Sequence, residues 1–155
     1  INDRRGEAFC LHDIGALHLA QNRPHEAVRH LRTACQIRQE LGETGNYLAS
    51  RATLGDAALA AGDTPAAARY LKEAVDLLRA GHSSGEYPLQ EVWWAYARLC
   101  RAQEKPGRAD EALGEARLLI QAKAEQIKDP ALKQSYMQNV RVNAAIMAEV
   151  AAAEN

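Results

Sequence analysis

Histidines supply the residues near the start of the chain that could bind a metal. His12 and His18 are six positions apart, and His25 and His30 are five apart. Two zinc ligands on one face of a helix occupy positions i and i+4. Neither pair has that spacing, so the sequence predicts no metal site. We expect these histidines to be polar surface residues.

No serine or cysteine lies in a pattern typical of a nucleophile. Ser83 and Ser84 lie in GHSSGEYP, which is neither a G-x-S-x-G motif nor a phosphate-binding loop ending in GK[ST]. Cys10, Cys35 and Cys100 form no C-x-x-C pair, and we expect them to be reduced and mostly buried in a cytosolic protein. The sequence therefore predicts no enzymatic activity and no cofactor.

Length and charge point to one domain spanning residues 1–155. Hydrophobic residues make up 47% of the chain but aromatic residues only 5%, so helices must approach closely through small side chains. A formal net charge of −1 argues against direct nucleic-acid binding, and no apolar run is long enough to cross a membrane. Because the sequence begins at Ile1 without a leader, we expect a cytoplasmic fragment of a larger protein with further domains upstream.

Prolines and glycines divide the chain into seven predicted helices, and no stretch has the alternation of a strand. Three prolines follow residues that could cap a helix, and Pro106 opens a further helix. These pairs are Pro24 after Asn22, Pro65 after Asp63 or Thr64, and Pro130 after Asp129. The predicted helices span residues 3–21, 24–41, 45–61, 65–80, 87–104, 107–127 and 130–152.

Internal repetition is the strongest feature of the sequence. Residues 14–34 (IGALHLAQNRPHEAVRHLRTA) align with residues 54–74 (LGDAALAAGDTPAAARYLKEA) and with residues 99–119 (LCRAQEKPGRADEALGEARLL). A small residue on the first helix lets an alanine-bearing second helix approach, and a leucine one turn later fills the seam. The aligned positions are Gly15, Gly55 and Cys100; Ala27, Ala67 and Ala112; Leu31, Leu71 and Ala116; and Ala34, Ala74 and Leu119.

Two glycines of the second copy have different predicted roles. Gly55 is expected to be a contact residue that admits the helix carrying Ala67. Gly62 is expected to form the tight turn between the helices, where Gly107 and Asn22 suit the other copies because both tolerate a left-handed backbone.

These three copies resemble the tetratricopeptide repeat (TPR), a helix–turn–helix unit. The resemblance implies an all-α, right-handed α-solenoid of three repeats (about 3–41, 45–80 and 87–127) plus a C-terminal capping helix at about 130–152. The copies are 40 and then 45 residues apart, longer than the usual repeat of about 34 residues. The usual aromatic residue one turn after the glycine is replaced by His18, Ala58 and Gln103.

Long repeats of this kind are similar to the C-terminal TPR arrays of bacterial signalling proteins. Residues 4–45 and the ending at 124–150 resemble parts of maltose-activator-like regulators and related STAND-class ATPases. This resemblance implies a non-catalytic module of a signalling or transcription regulator. Such a module would bind a protein, a peptide, a small effector or upstream domains of its own chain.

In the resemblance, first-helix residues that turn away from the second helix line a concave groove. Trp94 with Arg98 and Arg101 would form its anchor, since tryptophan and arginine dominate binding hot spots. The alternative is that the adjacent Trp93 and Trp94 are structural. The predicted binding residues are Phe9, His12, Asp13, Thr53, Asp56, Trp94, Arg98 and Arg101, with Ala16, Ala49 and Ala97 between them.

The last helix has apolar residues at helical spacing but no second helix to pair with. A solenoid must cover its exposed apolar end, so we expect this helix to be a cap, with docking of a partner or of a second copy as the alternative. The uncapped first helix would allow a homodimer through the solenoid ends, which gives a structural oligomerisation scaffold as the alternative function. The apolar positions are Leu132, Tyr136, Val140, Ile146 or Met147, and Val150.

Overall fold

The computed structural model describes residues 3–83 and 87–153, and all regular structure in these ranges is helical. This confirms the predicted all-α class. Ser84 of the predicted loop lies outside the described residues. The eight helices within these ranges are α1 (Arg4–Ala20), α2 (Pro24–Glu40), α3 (Thr44–Ala60), α4 (Thr64–Arg79), α5 (Gln90–Ala102), α6 (Pro106–Glu125), α7 (Pro130–Gln138) and α8 (Arg141–Ala153).

Tight turns join the members of each helix pair, and one residue in each turn has a left-handed backbone. Its φ is 57° at Asn22, 83° at Gly62 and 57° at Glu104. The first two were predicted, but the third prediction was wrong: Gly107 lies in the first turn of α6, because that helix begins at Pro106. A polar non-glycine residue therefore accepts the left-handed conformation in the third turn.

The predicted helix caps are confirmed in two of three cases. The carboxylate of Asp63 accepts a hydrogen bond from the backbone N–H of Ala66, and Asp129 accepts from Ala131 and Leu132. These bonds satisfy amide groups that have no partner within the helix. Asn22 does not cap α2, because its backbone is used for the turn and the N-cap position falls on Arg23.

Gly15 and Gly55 are the points of closest helix approach, as the repeats predict. A Cβ atom at Gly55 would lie 2.4 Å from Cγ of Leu71, and one at Gly15 would lie 2.5 Å from Cγ of Leu31. The atoms opposite the glycines thus belong mainly to the leucine of the second helix rather than to its first alanine. Leu31 and Leu71 are fully buried.

The third repeat reverses the sizes of this pair of residues. Cys100 takes the place of the glycine, and Ala116 takes the place of the leucine. Both side chains are buried. The larger side chain is therefore on the first helix and the smaller one on the second.

The chain divides into two compact units, one ending at Pro88 and one beginning at Leu89. In the first unit α1 packs against α2, α2 against α3, and α3 against α4. In the second unit α5 packs against α6, and α8 contacts α5, α6 and α7. Each unit buries small and branched apolar side chains between its helices.

The predicted C-terminal helix at 130–152 is two helices, α7 and α8, which are separated at Asn139 and Val140. The carbonyl of Tyr136 near the end of α7 accepts a hydrogen bond from the side-chain amide of Asn143 at 2.9 Å. Because of the break, the predicted apolar face is not continuous. Ile146 is fully buried and Val150 almost so, but Leu132 is 62% exposed and Val140 is exposed too.

In the described ranges, no helix combines the length and the apolar character needed to cross a membrane.

Candidate functional site

The predicted binding residues fall into both units. Thr53 and Asp56 lie on α3, in the same unit as three residues of α1, and the second unit contributes three residues of α5. The α1 residues are Phe9, His12 and Asp13, and the α5 residues are Trp94, Arg98 and Arg101.

His12 is buried, which corrects the expectation of a surface histidine lining a groove. Only 4% of the residue is exposed, and its Nδ1 lies 2.9 Å from the hydroxyl oxygen of Ser50 on α3. Burial and, to a lesser extent, the nearby positive charge of Arg38 lower the pKa of His12 to about 4, whereas Asp13 opposes the shift. His12 is therefore a neutral packing residue at neutral pH.

Arg38 is a buried residue of this region that the sequence analysis did not single out. It is 1% exposed. Its Nη1 donates to the carbonyl of Asn46 at 2.9 Å and to the hydroxyl of Ser50 at 2.5 Å, and its Nη2 donates to the hydroxyl of Tyr87 at 3.2 Å. The guanidinium carbon lies 5.7 Å from the ring centre of Phe9 and 5.5 Å from that of Tyr87.

Neutral groups surround the buried charge of Arg38. Within residues 3–83 and 87–153 it forms no salt bridge with a carboxylate, and its Nε–H has no hydrogen-bond partner. Polar acceptors and two aromatic rings stabilise the guanidinium in place of a counter-ion. The arrangement joins α2 to α3 and to the segment around Tyr87. A signal was present in the sequence, since Arg38 follows Leu31 by seven positions and so falls on the same helical face.

The other predicted residues of the first unit are more accessible. Phe9 is 41% exposed, and Asp13 is exposed. Thr53 and Asp56 are half-buried, and the Thr53 hydroxyl donates to the carbonyl of Ala49 at 3.1 Å, within its own helix. The accessible groups among the predicted residues of this unit are thus one aromatic ring and acidic or small polar side chains.

The predicted anchor residues of the second unit do lie together. The guanidinium carbon of Arg98 is 4.3 Å from the ring centre of Trp94, within the range of a cation–π contact. Arg101 lies one turn further along the same helix. We call these three residues the Trp94 cluster.

A carboxylate from α8 is bound to the Trp94 cluster. Oε1 of Glu149 accepts a hydrogen bond from Nε1 of Trp94 at 2.8 Å, and Oε2 accepts from Nη1 of Arg101 at 2.5 Å. Each carboxylate oxygen therefore has its own donor, in a charge-assisted arrangement. This contact could not be predicted from the repeats, because Glu149 lies outside them.

Buried contacts fix α8 beside this carboxylate. The side-chain amide of Gln90 donates to Oδ1 of Asn143 at 2.8 Å, and both residues are buried. Ile146 and Val150 follow Asn143 at three and seven positions, on one helical face, and are buried as well. Besides the Glu149 contact, α8 thus presents a buried polar pair and two buried apolar side chains where it packs against α5 and α6.

No group of three or more potential metal-ligating side chains occurs in the part of the chain that the structure describes. The rings of His18 and His30 stack at 5.2 Å between centres, which brings together two histidines of different helices.

Cys35 and Cys100 are buried, as expected, and Cys10 is exposed. Burial raises the pKa of Cys35 to about 12, so its thiol is inert as a nucleophile.

Comparison with known proteins identifies the repeat. Residues 7–80 match the family model of the tetratricopeptide repeat. No curated protein matches the sequence. The crystal structure of the TPR domain of Arabidopsis FLU is similar, with a TM-score of 0.65 and 17% sequence identity over 77% of this chain and 98% of that one. The chain therefore has the fold of a TPR domain, and its first two helix pairs match the tetratricopeptide repeat itself.

Proposed function

We propose that this protein is a non-catalytic interaction module that binds a protein or peptide partner through the first helices of its repeats. TPR domains generally mediate protein–protein interaction and are typically not enzymes. The observation that carries the proposal is the Trp94 cluster, because its tryptophan and two arginines lie together, and Trp94 and Arg101 bind a carboxylate of this same chain. A small effector on the same face is a further form of this proposal.

The chemistry of the cluster favours an acidic ligand. Arg101 carries a positive charge on a side chain that is 42% exposed. The indole N–H of Trp94 adds a directional donor beside an apolar ring. A carboxylate that meets both groups gains a charge-assisted bond and an aromatic contact, which are typical of binding hot spots.

The biological setting that we propose is a bacterial signalling or transcription regulator, in which the module passes its bound state to other domains. Support for this setting comes from the resemblance of residues 4–45 and 124–150 to the TPR arrays of such regulators. The boundaries of the module are proposed as residues 1–155. In the first unit we propose Phe9, Asp13, Thr53 and Asp56 as binding residues, and in the second unit the Trp94 cluster, whereas the buried His12 is no longer among them.

The proposal is tested by capturing partner proteins from a lysate on the purified full chain and on a matched pair of charge-reversal variants. Arg98→Glu changes the Trp94 cluster, whereas Arg29→Glu makes the same change at an exposed position of α2. We expect Arg98→Glu to lose partners that the natural chain and Arg29→Glu both retain. Identical capture by all three proteins would contradict a role of the cluster in binding.

A structural oligomerisation scaffold is the second candidate function. It is favoured by an apolar stripe on α1, where Ile14 and Leu17 are 41% and 56% exposed and Cys10 is exposed one turn earlier. A second copy could cover this stripe. Sizing by light scattering tests it: a dimer that Leu17→Asp converts to a monomer would support the scaffold, and a monomer at high concentration would refute it.

A further inference from the structure

Glu149 gives the Trp94 cluster the kind of group that an acidic ligand would bring. Its two carboxylate oxygens take one hydrogen bond each, from the indole of Trp94 and from the guanidinium of Arg101. Arg98 lies over the indole ring at 4.3 Å and completes the positive side of the contact. The contact belongs to an α-helix, so the chain itself shows how a helix can present a carboxylate to this surface.

The Glu149 contact lies at the rim of the α8 interface rather than in its interior. The side chains of Arg101 and Glu149 are 42% and 30% exposed, so solvent reaches both charges. Ion pairs of this exposure contribute little to stability. By contrast, Asn143 and Ile146 are fully buried. The rim contact can therefore be exchanged for an equivalent one at little cost, whereas a competing ligand must also replace the apolar contacts.

We propose that the partner of the Trp94 cluster is an acidic amphipathic helix of another protein, and that α8 occupies the same surface until that helix replaces it. This inference rests on the proposed function of the cluster. The partner helix would carry a carboxylate at the position of Glu149, with branched apolar side chains at the positions of Ile146 and Val150. Release of α8 would then report that the partner has bound.

The pattern on α8 explains why a helix, and not a free anion, is the expected ligand. Ile146 precedes Glu149 by three positions and Val150 follows it directly, so one helical face presents the carboxylate beside two apolar groups. A free carboxylate or phosphate could meet Trp94 and Arg101 but would leave the surface under Ile146 uncovered. Such an ion would therefore not replace α8.

A fluorescently labelled peptide with the sequence of residues 141–153 provides the probe. Its binding is measured by anisotropy against the natural full chain, Glu149→Gln, Glu149→Lys and the matched control Glu125→Gln, which alters an exposed carboxylate of α6. We expect the two Glu149 variants to bind the peptide about two- to fivefold more tightly, because the resident helix has lost an exposed charge-assisted contact. Glu125→Gln should bind it as weakly as the natural chain.

Two further measurements make the test specific. A peptide with glutamine in place of its glutamate should bind the Glu149 variants about two- to fivefold more weakly. Acrylamide should quench Trp94 somewhat more strongly in both variants, because α8 leaves its surface more often, while Trp93 stays buried. Circular dichroism checks that the chain remains folded, and Glu149→Gln keeps the shape of the side chain if Glu149→Lys fails this check.

The outcomes separate this inference from the proposed function. Equal binding of the peptide by all four proteins, or equal binding of the glutamate and glutamine peptides, would overturn the acidic-helix inference. If either result occurred while partner capture still depended on Arg98, the proposed function would stand without it. Tight, glutamate-dependent binding confined to the Glu149 variants would support the inference even if no partner were captured from the lysate.

Discussion

Adding one methyl group at Gly55 should destabilise the protein, although glycine is a poor helix former. Gly55 lies within α3, where alanine is normally favoured by about 1 kcal/mol. The new Cβ would lie 2.4 Å from Cγ and 2.9 Å from Cδ2 of Leu71. The first distance is about 1 Å shorter than the 3.4 Å at which ordinary contact begins.

The balance of these two effects gives the expected magnitude. Leu71 is fully buried, so its branch point can move only if α4 moves as well. Overpacking of this kind typically costs about 1–3 kcal/mol, occasionally more. Because the contact is with the branch of the side chain and not with its flexible end, the cost should be at the upper end of that range. After the gain in helix propensity, we expect Gly55→Ala to lower the free energy of unfolding by about 1–2 kcal/mol.

Urea denaturation followed by circular dichroism measures this change, and Gly114→Ala is the matched control. Gly114 also lies within a helix, but a Cβ there would meet nothing within 4 Å, so we expect stabilisation by up to about 1 kcal/mol. Leu71→Ala alone should cost about 2–5 kcal/mol. The double variant should cost less than the sum of the single variants, because the added methyl then occupies vacated space. If Gly55→Ala stabilised the protein as much as Gly114→Ala, the close-approach explanation would be refuted.

Three further predictions concern buried polar groups. The pKa of His12 is about 4 in the folded state, against 6.5 for the ordinary residue. The contribution of neutral His12 to the free energy of unfolding is therefore complete above about pH 6.5, and up to about 3 kcal/mol is lost as the pH is lowered towards 4. His12→Gln should flatten this slope in urea titrations between about pH 4 and 7. Arg38→Lys should unfold at a lower urea concentration than Arg38→Met, because lysine keeps the buried charge but cannot make the same hydrogen bonds. The reverse order would contradict the role of these hydrogen bonds. Asn143→Ala should lower the free energy of unfolding by about 2–4 kcal/mol, because it leaves the carbonyl of Tyr136 and the side-chain amide of Gln90 without their hydrogen bonds. The control Asn139→Ala, at an exposed position, should change it by less than about 0.5 kcal/mol in the same urea denaturation.

Much of the fold could be predicted because the repeats encode short-range geometry. The glycine of the first helix and the leucine of the second recur sixteen positions apart, as at Gly15 with Leu31 and Gly55 with Leu71. That spacing is set by the last turns of one helix, one tight turn of the chain and the first half of the next helix. The division of residues 130–152 was not predictable in this way, since the break at Asn139 and Val140 contains no proline or glycine and depends on the side chain of Asn143.

The candidate site was predictable only in part, because the sequence indicates contacts within one helix but not contacts between distant helices. Trp94, Arg98 and Arg101 lie on one helix, so helical periodicity alone brings them together. Glu149 is 55 residues away from Trp94, and the burial of Arg38 depends on Tyr87, 49 residues away. Contacts at such separations follow from how helices pack, and no single repeat carries a signal for them. The burial of His12 was missed because it depends on Ser50, also on another helix.

The opposite placement of large and small residues at the seams limits how these repeats could be recombined into chimeric arrays. A hairpin made from α3 and α6 would place Gly55 opposite Ala116 and leave a void. A hairpin made from α5 and α4 would place Cys100 opposite Leu71 and overfill the same space. Crossovers within a turn that join the third repeat to either of the first two would therefore fail even though the turns have the same length. Helix pairs exchanged whole, with the junction placed between pairs, would keep every seam intact. The exchangeable unit of this protein is therefore the hairpin and not the single helix.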